Sequence, residues 1–123
     1  RRDFFRVKTP ITKPLRCQFK LPGEGGGIAQ MTIVELACGG LGAVFDPVEF
    51  KVEVGDKLEG FQLSLPDIGD VTGALVVRHI SDVSSGTQRR HRLGCQIVDT
   101  PGPMATLIQR YVNKLERDRL KLK

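Results

Sequence analysis

The sequence predicts a mainly β domain: a six-stranded antiparallel β-barrel followed by a C-terminal α-helix. Two observations carry that expectation. Six short apolar runs are separated by tight turns rich in Gly, Pro, Asp and Ser, the pattern of a closed or nearly closed barrel. After Thr100-Pro101-Gly102-Pro103 the apolar spacing changes to that of a helix. A chain of 123 residues suits one such domain and can form a core without staples.

The first strand, 15–20, sets Leu15, Cys17 and Phe19 against Arg16, Gln18 and Lys20, which buries one face. Residues 21–27 supply the Pro and Gly of a turn. A second strand spans about 28–36. Gly39-Gly40-Leu41-Gly42 interrupts it, and 42–45 starts a third. Residues 46–56 form a loop around Asp46-Pro47 and Gly55-Asp56. A fourth strand, 58–65, has Leu58, Phe61, Leu63 and Leu65 as apolar positions, and residues 66–70 turn the chain. Strands 71–80 and 90–98 make a long hairpin around Ser84-Ser85-Gly86.

The helix covers about 102–121. Pro103 suits its first turn, because a residue there needs no amide donor. Met104, Leu107, Ile108, Tyr111, Val112 and Leu115 share its apolar face. Arg110, Lys114, Arg117, Arg119, Lys121 and Lys123 turn to water. Ahead of the barrel unit, 11–123, residues 1–10 form an extended arm that ends at Thr9-Pro10 and carries no helical stripe.

Composition limits the function. With 40% hydrophobic and 27% charged residues, the chain is not disordered as a whole. No apolar run approaches the roughly 20 residues that span a bilayer. The net charge of +5 is concentrated towards the two ends and favours anionic partners. Cys17, Cys38 and Cys95 are odd in number and widely spaced, against a disulfide framework or a thiolate zinc site. Reduced, mostly buried thiols in the cytoplasm are expected. His79 and His91 lack metal-ligand spacing. The start at Arg1-Arg2-Asp3, with no initiator Met and no signal pattern, is expected to continue an upstream domain.

An enzyme is not expected. No nucleophile is paired with a base, and no Gly-x-x-x-x-Gly-Lys-Ser/Thr phosphate loop is present. Asp67, Asp70 and Asp82 fall in turns, where Asp is commonly structural.

Two constellations point to anion binding. Arg1 and Arg2-x-x-x-Arg6 surround Phe4 and Phe5. A guanidinium fork matches two phosphate oxygens, or the O6 and N7 acceptors of guanine. One of the phenylalanines is expected to pin the arm to the barrel. The second constellation is Glu35-Leu36-Ala37-Cys38-Gly39-Gly40-Leu41-Gly42, a carboxylate-bearing strand that ends in glycines open to close approach. Its carboxylate could accept from an arginine of the arm or from the amino edge of guanine.

In order and spacing, these two constellations resemble the PilZ family. That family pairs an Arg-x-x-x-Arg arm with a later Asp/Asn-x-Ser-x-x-Gly strand, here Glu35-x-Ala37-x-x-Gly40. Arg92-Leu93-Gly94-Cys95-Gln96-Ile97 is similar to the family's penultimate strand, and a C-terminal helix is also shared. The form Arg1-Arg2-Asp3-Phe4-Phe5-Arg6-Val7 resembles the flagellar-brake branch.

The resemblance implies a PilZ-type barrel that binds cyclic di-GMP through Arg1, Arg2, Arg6, Glu35, Ala37, Gly39 and Gly40. It implies no cofactor, a flagellar motor or other effector partner, no DNA, and recruitment from the cytoplasm to the flagellar basal body. Glu35 replaces the usual Asp or Asn and reaches one methylene further. Ala37 replaces Ser and removes a hydroxyl partner, a loss of about 0.5–1.5 kcal/mol, or roughly three- to tenfold in affinity. Two other readings share the fold: a PilZ interaction module that no longer binds nucleotide, and a basic nucleic-acid-binding barrel. The strands carry few of the aromatics that the second would need for base stacking.

Overall fold

A computed structural model of the protein describes residues 7–9, 14–21, 27–37 and 39–121. Seven strands and one helix follow in chain order: β1 (Val7–Lys8), β2 (Leu15–Lys20), β3 (Ile28–Ala37), β4 (Gly40–Phe45), β5 (Lys57–Leu65), β6 (Gly69–Asp82), β7 (His91–Val98) and α1 (Gly102–Lys121). All neighbours are antiparallel, and the order β3-β2-β5-β6-β7-β4 closes on itself through β3–β4 pairing. Closure removes the open edges that a flat sheet would expose. The barrel is therefore the predicted six-stranded one. The short β1 lies outside the ring, paired to the later part of β3.

The predicted alternation puts Leu15, Cys17 and Phe19 inside. In β5 the inward residues skip from Leu58 to Phe61, because a bulge intervenes and Gly60 takes φ +66 there. Between β5 and β6, Leu65 pairs with Gly69 across Pro66-Asp67-Ile68, and Asp67 adopts φ 63. Short polar side chains such as Asp tolerate that left-handed conformation better than most residues.

The segment expected as a loop between β4 and β5 also contributes to the core. Phe50 is buried, stacked on Phe45 with ring centroids 4.4 Å apart, and edge-on to Phe19 at 5.4 Å. Ile108, Tyr111 and Val112 of α1 join the same core, with Met104, Leu107 and Leu115 packed against it. The helix lies against β6, β3, β5 and β1. Lys114, expected in water, reaches back instead: its amine donates to Asp67 Oδ2 at 3.4 Å.

Cys17 and Cys95 are free thiols buried in the barrel. Burial pushes both up to about 12, since a thiolate would be stranded away from water. Cys38 lies outside the described residues. Among the described residues, no cluster of His, Cys, Asp and Glu could hold a metal, and no helix is long and apolar enough to cross a membrane.

Candidate functional site

Glu35 owes its position to an irregularity in β3. The register shifts between Ile33 and Glu35, so Ile33 and Leu36 both point into the core. Val34 and Glu35 are left half-buried between them. A bulge re-aims side chains in this way.

On one side of β3, the arm strand seats Val7 opposite Leu36 and Lys8 opposite Glu35. Thr9 completes the attachment. Its amide donates to the Val34 carbonyl at 3.0 Å, and its Oγ1 donates to the Ile33 carbonyl at 2.6 Å. On the other side, Glu35 faces Gly42 of β4. One strand further, in β7, Arg92 reaches back across β4, and its Nη2 lies 3.4 Å from Glu35 Oε1. The side chains of Arg92 and Glu35 are 35% and 21% exposed. A side chain at Gly42 would obstruct this crossing, because a Cβ there would stand 2.6 Å from Arg92 Nη2.

These groups line a cleft of about 490 Å³, walled by Lys8, Thr9, Pro14, Ile33, Glu35 and Arg92. Two cations and one carboxylate give the wall a positive balance, which suits an anion more than a neutral ligand.

The glycines of the predicted motif have backbone roles. Gly40 belongs to β4 and does not simply interrupt the sheet: a Cβ there would stand 2.8 Å from the Cys95 carbonyl oxygen. The Gly39 carbonyl accepts from the Ile97 amide at 3.0 Å. Ala37, paired with Gly40, is 3% exposed. Together these residues fasten the β3–β4 connection to β7. Arg1, Arg2 and Arg6, and Phe4 and Phe5 with them, lie outside the described residues.

Lys8, Thr9 and Arg92 were not singled out as site residues from the sequence. A signal for Arg92 was present: a glycine inside a strand often marks close approach by another group, and Gly42 is such a glycine.

No family model matches the chain. The fold superposes on the solved structure of the PilZ domain with cyclic di-GMP of YcgR from Escherichia coli. The TM-score is 0.79 at 23% identity, covering 98% of this chain and 95% of that one. By this likeness the chain has the PilZ-domain fold, and its sequence relatives point the same way. Those relatives are flagellar brake proteins named YcgR. The Azoarcus protein is 32% identical over 123 residues, covering 97% of this chain and 47% of that protein. The Thiobacillus denitrificans protein is 34% identical over 121 residues, covering 97% and 48%. The chain thus spans about half the length of these relatives.

Proposed function

We propose that the chain is the cyclic di-GMP receptor domain of a flagellar brake protein, a regulator and not an enzyme. One observation carries the reading: the strand that directly follows Arg6 in the chain is seated beside Glu35, on the wall of a positively balanced cleft. Residues 1–10 act as the ligand-binding arm ahead of the barrel, and an upstream domain precedes them. The guanidinium forks of Arg1, Arg2 and Arg6 take the phosphates and guanine edges of the dinucleotide. Glu35 supplies an acceptor, and Ala37, Gly39 and Gly40 act through the backbone of the β3–β4 connection that follows it.

The phosphates neutralise arginines that otherwise repel one another, so the ligand favours the closed arm. The switch acts through that difference in affinity between two states. Closure changes how the domain meets a flagellar motor component, and the protein passes from the cytoplasm to the flagellar basal body. DNA is not a partner in this reading.

Calorimetric titration with cyclic di-GMP tests it. The parent is expected to bind, and Arg2→Ala and Arg6→Ala each to bind at least about tenfold more weakly, the loss of a charge-assisted hydrogen bond. Unchanged affinity in both variants, or no binding by the parent, would overturn the reading. Retention of single-stranded DNA or RNA on filters, without cyclic di-GMP binding, would favour a nucleic-acid-binding barrel.

A further inference from the structure

Resting on that receptor reading, we propose that Arg92 is a positioning residue for the ligand. Its guanidinium, laid through the gap over Gly42, holds and charge-balances the Glu35 carboxylate beside the nucleotide.

The pairing is not one that neighbouring strands impose. β4 separates β3 from β7, so Arg92 must cross roughly two strand spacings, about 10 Å. It crosses where Gly42 faces Gly94, a bare patch of sheet. A Cβ on Gly42 would stand 2.6 Å from Nη2 and 3.1 Å from Cζ of Arg92. Glycine weakens a strand interior, so its presence here fits a passage for the guanidinium.

The chemistry of the ligand supplies the need. A half-buried carboxylate repels a phosphate-bearing ligand unless a cation offsets it. One N–H of the fork directed at Oε1 leaves the other guanidinium donors for further partners. At 3.4 Å the pair is looser than the roughly 2.7–2.9 Å of a tight charge-assisted bond. It can therefore tighten when a ligand excludes water from the cleft.

The test is calorimetric titration with cyclic di-GMP, with thermal unfolding run alongside to confirm folding. Arg92→Met is expected to weaken binding about tenfold, while Arg92→Lys, which keeps the charge, stays within about threefold of the parent. Gly42→Ala is expected to match Arg92→Met although it alters no charged group, and it carries the test if Arg92→Met does not fold. In the double variant Glu35→Gln/Arg92→Met, the loss should not exceed the larger single loss, because both changes break one unit. Parent-like binding by Arg92→Met, or losses that multiply in the double variant, would overturn the proposal and leave the receptor reading standing. A parent that binds no cyclic di-GMP would overturn both.

Discussion

The hydroxyl of Thr9 donates to the Ile33 carbonyl at 2.6 Å, and this buried bond fixes the arm to β3 at the bulge that exposes Glu35. Thr9 is 8% exposed, so water does not readily replace the bond. Thr9→Val keeps the shape and removes this buried hydrogen bond, at a cost of about 0.5–1.5 kcal/mol. Urea unfolding should show the lower midpoint. If β1 positions the ligand-binding arm, cyclic di-GMP affinity falls with it, and a full loss of stability with unchanged affinity would separate the two roles.

Gly40 and Gly42 lie two residues apart on β4 and should respond differently to alanine. At Gly40 the added carbon would stand 2.8 Å from a backbone oxygen of β7, which cannot swing away. Gly40→Ala is expected to cost about 1–3 kcal/mol. At Gly42 the obstacle is the end of the Arg92 side chain, which can move, so Gly42→Ala should cost under about 1 kcal/mol. Paired denaturant titrations of the two variants check the contrast.

Phe50 fills the barrel end from within the β4–β5 connection, packed between Phe45 and Phe19. Phe50→Ala is expected to destabilise the domain by about 3–5 kcal/mol. A loss below about 1 kcal/mol in urea unfolding would show that the aromatic cluster is not part of the cooperative core.

The buried thiols set an alkaline limit. Folded Cys17 and Cys95 hold their protons up to about 12, whereas unfolded thiols lose theirs near their ordinary value of 9.0. The unfolded chain therefore binds fewer protons above pH 9, and stability falls as pH rises between 9 and 12. The slope is about 1.4 kcal/mol per pH unit for each thiol. Below pH 9 the two thiols add no pH dependence. Unfolding free energies at pH 8, 9.5 and 10.5 check the slope, and it should flatten in Cys17→Ala/Cys95→Ala.

Much of this architecture was legible because it is written locally. The alternation of Leu15, Cys17 and Phe19 and the helical spacing from Met104 to Leu115 each name a face without reference to the rest of the chain. β1 was not legible, since two residues carry no period and the strand exists through pairing with β3. Phe50 was hidden for a similar reason: a buried ring in an irregular segment has no pattern around it. Glu35 was singled out through the resemblance of the arm and strand motifs to the PilZ family. Its partner Arg92 stands 57 positions away, and only closure of the barrel brings the two together.

The two-residue strand has a consequence for how the molecule meets its own copies. β2 covers the early part of β3 and starts opposite Ile33, so beyond that point β1 and Thr9 pair with Val34, Glu35 and Leu36. Whatever lifts the leading segment uncovers a short length of hydrogen-bonding ladder, which an extended segment from another molecule can occupy. The two-residue strand thus shields this edge of β3 from pairing with another copy of the chain.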